Sequence, residues 1–362
     1  MDPYDISKIF QDMELDLISS MKKALEKNNT GDWQKQKLLN LGKYRAANTK
    51  IINGYSAPLG NEISNLLKDS FVSGAQNTDD TLKKIKGYLA SKLAKPITVI
   101  GDGSFFEVNE KRINALIKSI NKDLVSAEKA MLRQADDVYR QTIFKSQLNL
   151  NVGTLSLNQS IDMATKDFLD KGFNCITYKD GRKVNIASYA EMALRTSSQR
   201  AVFTGEGSRR DEWGVNTVVV SAHNNCSRLC IPWQGKVYID DVYSGGTEKE
   251  GDYPLLSMAM DNGLFHPNCR HNMGTYFEGV NTLPEQVDDK EALKNYDTEQ
   301  KQRYMERQVR KYKRREAGSQ DSQNIKKSND KVKEWQANLR EHLKDNPQLR
   351  RESWREQVKV KA

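Results

Sequence analysis

Three of the chain's four cysteines and three of its four histidines fall between His223 and His271. They are spaced His223-x2-Cys226-x3-Cys230, then 35 residues, then His266-x2-Cys269-x-His271. The remaining 313 residues supply only Cys175 and His342, so random scatter is a poor account of the pattern. Thiolate and imidazole together suit tetrahedral zinc, and structural sites commonly draw a close ligand pair from each of two distant segments. A fold that uses this cluster has to bring the two segments into contact.

Cys226, Cys230 and Cys269 are the natural first three ligands, with His271, His266 or His223 as the fourth. His271 is preferred, because a Cys-x-His pair on a turn can point both side chains inward, whereas His266-Pro267 can serve the turn itself. Two plainer readings compete: small buried cysteines among hydrogen-bonded histidines, and a catalytic thiol paired with His, for which no local signature is present. A catalytic zinc needs an open coordination position and a nearby carboxylate base. Neither His-Glu-x-x-His nor the zinc-deaminase pattern occurs, and Asp240, Asp241, Asp252 and Asp261 read as solvated loop acids. A phosphate-cradling P-loop and a Gly-x-Ser-x-Gly elbow are also missing. The expectation is therefore a structural zinc tying the strand that ends at Val220 to the segment after Gly263.

Around the cluster the chain reads as α+β, in three stretches. Residues 1–149 read as a helical domain. Ile6, Ile9, Phe10, Met13, Leu17, Met21 and Leu25 recur at three- and four-residue steps, which makes one face of a helix apolar. Gly54, Pro58 and Gly60 predict a break, followed by periodic stretches over Ile63–Phe71 and Leu82–Leu93; Pro96 ends the second, and Gly101-Asp102-Gly103 reads as a turn. The longest predicted helix runs from about Glu107 to Leu148, with Ile117, Ile120, Leu124, Ala127, Met131, Gln134 and Val138 along one seam. Residues 150–283 read as a mixed α+β domain carrying the Cys/His cluster. Its predicted elements are a hairpin around Asp180-Gly181, a helix over Ser188–Ala201, strands at Thr217–Ser221 and Gly235–Asp240, and a short helix over Pro254–Asn262.

Residues 284–362 read as a basic, helix-prone tail, an extended arm with Tyr304, Val309 and Tyr312 too sparse to bury a core. A flexible break is expected over Gly318–Asn329, then a narrow stripe of Trp335, Leu339 and Leu343. Residues 296–362 hold 19 Lys and Arg against 11 Asp and Glu, so almost all of the net charge of +9 lies here. A basic arm attracts phosphate through counterion release, largely without regard to base sequence. The candidate nucleic-acid-binding residues are Arg307, Arg310, Lys311, Lys313, Arg314 and Arg315; a solvated charged helix is the plainer reading. No apolar run approaches the length of a membrane span. Few cysteines in a long chain, with no secretory signal at the start, fit a reducing, intracellular origin.

Taken together, Ser221-Ala222-His223-x2-Cys226-Ser227-x2-Cys230-x-Pro232-Trp233-Gln234-Gly235-Lys236-Val237-Tyr238 closely resembles the core of the phage minor capsid protein 2 family. Gly263-Leu264-Phe265-His266-Pro267-Asn268-Cys269-Arg270-His271 continues the resemblance, as do Tyr189-x-Glu191-Met192-x2-Arg195-Thr196 upstream and the basic run from Gln300 to Arg314. His-Pro-Asn-Cys-Arg is also similar to the head-morphogenesis proteins named after the F protein of phage Mu, which often end the motif in Cys where this chain has His271. The resemblance implies a structural, non-enzymatic minor capsid protein of a tailed phage or prophage. It would be made in the bacterial cytoplasm and lie in the virion, inside the capsid near the portal. Its implied partners are the portal protein, other head proteins and nonspecific double-stranded DNA, with a homo-oligomer as a further arrangement and ejection with the genome as a further step. The alternative is a phage-delivered, toxin-like transferase or nuclease on the same domain, for which Arg195, Ser221, His223 and the acidic loop are the only candidates.

Overall fold

The first apolar stripe forms as its spacing requires. In the computed structural model, helix α1 (Pro3–Leu25) buries Ile6, Phe10, Met13, Leu17, Met21 and Leu25, all on one face. The structure describes residues 3–26, 32–89, 104–151 and 155–356. Helix α2 (Trp33–Leu39) starts at Asp32, whose carboxylate accepts from Lys35 N at 3.3 Å and caps the first turn.

Helix α3 (Leu41–Leu89) then runs through the predicted break, with Pro58 inside it. Proline removes one helical hydrogen bond and crowds the preceding turn, at a cost of about 3 kcal/mol. Ile52 and Leu59 are buried near it, as are Ile63 and Leu67 beyond it; burying four aliphatic side chains, each worth roughly 1.5–3 kcal/mol, outweighs that cost. Leu93, Pro96 and the Gly101–Gly103 turn lie outside the described residues. Helix α4 (Ser104–Asn151) buries Ile117, Ile120, Leu124, Ala127 and Met131, while its polar interruption, Gln134, donates to Asn174 Oδ1 at 2.8 Å. Helix α5 (Leu157–Lys171) opens on a reciprocal capping box between Ser156 and Gln159.

The hairpin pairs β1 (Ile176–Thr177) with β2 (Lys183–Val184), Ile176 opposite Val184, and Gly181 supplies the positive φ of its turn. Helix α6 (Ile186–Glu212) extends well beyond its predicted end. A three-stranded antiparallel sheet follows, with β3 (Thr217–Val220) between β4 (Val237–Ile239) and β5 (Met273–Thr275). Val218 and Val220 point into a core shared with Phe203, Tyr238 and Leu256. Leu256 belongs to the short helix α7 (Leu256–Asp261), which Gly263 follows at φ 112°. The result is a mostly helical α+β protein with a small antiparallel sheet.

Helices α8 (Asp289–Gly318) and α9 (Ser322–Asp345) replace the predicted flexible break with a three-residue turn. Asp321 fixes it by accepting from Gln323 N and Asn324 N. Gly318 packs so closely that an added Cβ would lie 2.5 Å from Leu169 and 3.0 Å from Ile18. Val309 and Leu339 are fully buried, so the sparse apolar residues of this stretch do contribute to a core, because other segments cover them.

The fold divides into two compact units, each assembled from separate stretches of chain. One comprises Asn61–Asn121 and Met192–Asp297 and holds the three-stranded sheet; the other comprises Asp2–Gly60, Lys122–Glu191 and Thr298–Ala362. In the second unit, buried Glu14 accepts from Phe173 N and Asn185 Nδ2, each at 2.7 Å, with Arg314 Nη1 3.6 Å away. Gln320 Nε2 donates to Lys22 O at 2.6 Å. Among the described residues no helix is long and apolar enough to cross a membrane.

Candidate metal centre

Two turns deliver the sulfurs. Beyond β3 the chain folds through consecutive tight turns, with Cys230 N bonded to Ser227 O at 3.0 Å and Trp233 N to Cys230 O at 3.0 Å. Gly235, at φ 71°, then returns the chain to β4. The second segment turns at His266-Pro267-Asn268-Cys269, closed by Cys269 N to His266 O at 2.8 Å. Asn268 at the third position has φ 68°, the arrangement that a type II turn demands after a proline. Ser221 joins the two segments: its N–H donates to Asn272 O at 2.8 Å, and its hydroxyl accepts from Asn272 N at 2.9 Å.

Cys226, Cys230, Cys269 and His271 are all buried and meet in a ring of contacts. Cys230 Sγ lies 3.5 Å from Cys269 Sγ, Cys269 Sγ 3.3 Å from His271 Nδ1, and Cys226 Sγ 3.6 Å from His271 Nε2. A tetrahedral zinc with Zn–S near 2.3 Å and Zn–N near 2.0 Å has sulfur–sulfur edges of about 3.8 Å and sulfur–nitrogen edges of about 3.5 Å. The Cys230–Cys269 edge is close to that figure, but His271 turns Nδ1 to Cys269 and Nε2 to Cys226, so its two sulfur contacts do not share one nitrogen.

The two imidazoles differ. His271 is buried and sits between two thiols, one nitrogen toward each, with Nε2 also 3.1 Å from Gln234 Oε1. His266 is half-buried, yet its ligand atom lies with those of Cys230 and Cys269 in a group whose members are all within 4.8 Å of one another. Its Nε2 is 2.8 Å from Ser227 Oγ and its Nδ1 2.8 Å from Pro267 O. His223 stacks on His271, ring centroids 4.1 Å apart. Gln234 and Ser227 hold the imidazoles in place, as outer partners of metal ligands commonly do; both stand in the motif, whose spacing does not reveal this role.

Two of the thiols, those of Cys230 and Cys269, resist ionisation. The neighbouring Cys226 thiol and burial push Cys230 up to about 11, and the Cys230 thiol together with burial pushes Cys269 higher still. A thiol nucleophile needs the opposite shift. Of the nominated acids, Asp240 is fully buried rather than solvated, because Arg210 of α6 donates to it at 2.8 Å. Asp240 also accepts from Val242 N and Tyr243 N, and Asp241 accepts from Ser257 N at 2.9 Å at the start of α7. Sequence reading missed the Arg210–Asp240 pair; 30 residues separate its members, and neither lies in a recognisable motif.

The basic residues of α8 are largely engaged within their own unit. Arg314 donates to Leu169 O at 3.0 Å and Asp170 O at 2.8 Å. Arg315 pairs with the Asp170 carboxylate through two bonds, and Lys311 Nζ lies 3.4 Å from it. Arg310 donates to Arg355 O and Lys313 to Glu356 O; burial pulls Arg310 down to about 10. Arg307 is exposed.

A protein-family model described as "Phage minor capsid protein 2" matches residues 2–344. A protein of Lactococcus phage LL-H named "Structural protein" is 24% identical over 376 aligned residues, covering 99% of this chain and 100% of the relative. A second "Structural protein", from Lactococcus phage mv4, is 35% identical over 101 residues, covering 26% of this chain and 81% of the relative. No solved structure matches significantly.

Proposed function

Since this chain belongs to the phage minor capsid protein 2 family, we propose that it is a structural protein of a phage head whose Cys/His centre is closed by zinc. In this reading it lies inside the capsid near the portal, contacts the portal protein and other head proteins, and touches packaged double-stranded DNA without base selectivity. The virion role rests on family membership, and the two relatives named as structural proteins support it. DNA contact is supported by the positive surplus of residues 296–362.

The observation that carries the zinc proposal is the group of Cys230, Cys269 and His266, whose ligand atoms all lie within 4.8 Å of one another, with Cys226 and His271 buried beside it. Zinc would cross-link the turn after β3 to the segment entering β5. The three thiolates and His271 are the proposed ligands, with His266 as the competing nitrogen donor. Such an ion contributes directly to folding.

Metal analysis of the purified chain is expected to give about one equivalent of zinc, and chelation to lower its thermal midpoint. A metal-free chain that is fully stable overturns the zinc assignment. Imaging of labelled protein in intact virions is expected to find it at the portal vertex, within the shell. Signal spread evenly over the capsid exterior overturns the location.

A further inference from the structure

Part of the positive surplus of the C-terminal stretch is neutralised internally, since Lys311 and Arg315 meet Asp170 and Arg314 lies beside Glu14. Any polyanion must be met by cations that remain free. Those lie on α9. Lys326, Lys333, Arg340 and Lys344 are all exposed, and none has an ion-pair or hydrogen-bond partner among the described residues.

At 100° per residue these four positions fall within about 40° of one another on the helix, and at 1.5 Å per residue they form a row about 27 Å long. The opposite face of α9 holds Val332, Leu339 and His342, all buried, so the row points away from the packed side. Lys331 does not compete for this role, because it pairs with Glu334.

We infer that the outer face of α9, through Lys326, Lys333, Arg340 and Lys344, is the surface that meets the phosphate backbone of duplex DNA. The inference rests on the DNA contact proposed above and assigns it to specific residues. Composition favours phosphate over a protein partner. Between the cations the face carries Asp330 and Ala337, with Glu341 and the half-buried Leu343 at its two margins, so its middle holds no aromatic or large aliphatic side chain to form the desolvated centre that protein interfaces need. Three of the four are lysines, point charges on flexible stems that suit phosphates without fixed register. A row of about 27 Å spans about eight base pairs of duplex.

The test is binding of the full-length chain to random-sequence duplex DNA, followed by fluorescence anisotropy across a salt series. Replacing Lys326, Lys333, Arg340 and Lys344 together by Gln is expected to weaken low-salt binding more than tenfold and to flatten the slope of log K against log salt by about three to four. The double variant K333E/R340E should act in the same direction, and serves if the fourfold variant melts at a lower temperature than wild type. A wild type that binds while both variants keep its slope overturns the α9 assignment and leaves the DNA reading standing. A wild type without measurable affinity removes both. Competition by polyglutamate as effective as by duplex at equal charge overturns the phosphate assignment.

Discussion

Cys230 Sγ and Cys269 Sγ lie 3.5 Å apart although 39 positions separate them in the chain. A cross-link closing a loop of that length removes about 4 kcal/mol of denatured-state entropy in the chain-entropy picture. Cys230→Ser and Cys269→Ser are each expected to lose the metal and to unfold at a lower temperature, matching the chelated wild type. Calorimetry with parallel metal analysis checks this; a metal-free variant as stable as the zinc-bound wild type would count against the clasp.

The fourth donor can be separated by substitution. His271→Ala is expected to abolish stoichiometric metal binding, whereas His266→Ala, which loses the 2.8 Å contacts to Ser227 Oγ and Pro267 O, should retain it with a cost of about 1–2 kcal/mol. Cobalt-substituted protein reports the ligand set by its visible absorption. The reverse pattern assigns His266 as the donor.

Arg210 and Asp240 form a fully buried ion pair at 2.8 Å. Asp240→Asn leaves the guanidinium with only the longer 3.7 Å contact to Glu206 and should destabilise the fold by about 3 kcal/mol. The double variant R210M/D240N removes both charges, keeps an acceptor for Val242 N and Tyr243 N, and should recover much of that loss. A denaturant titration of single and double variants measures the coupling; equal losses in both would argue against an electrostatic origin.

Burial pushes Glu206 up to about 7, against the pull of Arg210 3.7 Å away. A carboxyl whose folded-state value exceeds its unfolded one penalises folding once the unfolded chain ionises. Its contribution should therefore fall as pH rises from about 4.5 to about 7, by about 1.4 kcal/mol per unit at most. Glu206→Gln is expected to remove that slope, read as the difference between the two proteins' stability–pH curves over this window. Parallel curves would show that Glu206 does not carry it.

Gly172 has φ 65° and ψ −157°, a region that is essentially glycine's alone. A Cβ there would lie 2.1 Å from Glu14 Oε1. Gly172→Ala should cost at least about 2 kcal/mol from backbone strain and from displacing Glu14 from Phe173 N. A thermal midpoint within a degree of wild type would contradict this.

The elements that the sequence revealed are those whose signal is local. The stripe from Ile6 to Leu25, the Asp180-Gly181 turn and Val218–Val220 each carry their periodicity or turn chemistry within a few residues. Pro58 misled because its local cost is set against burial of Ile52, Leu59, Ile63 and Leu67, which local pattern cannot weigh. β5 was missed because Met273-Gly274-Thr275 has no strand alternation; its pairing comes from β3. The cysteines and histidines of the centre were visible through rarity and spacing. Gln234 and Ser227 stand in the motif that carries the family resemblance, but their roles beside the imidazoles became visible only through their distances.

The bonds from Gln320 to Lys22 and from Arg314 to Leu169 tie late-synthesised residues to early ones. During translation, α1 therefore leaves the ribosome well before the residues that complete its surroundings exist. Contacts of α1 with α3 and with Phe173 can form earlier, but the part of Ile18 that Gly318 covers stays open until α8 has emerged. The unit of α1 closes only after α8 and the turn into α9 have emerged, so a polypeptide truncated before residue 320 lacks the fastening that seals its own beginning.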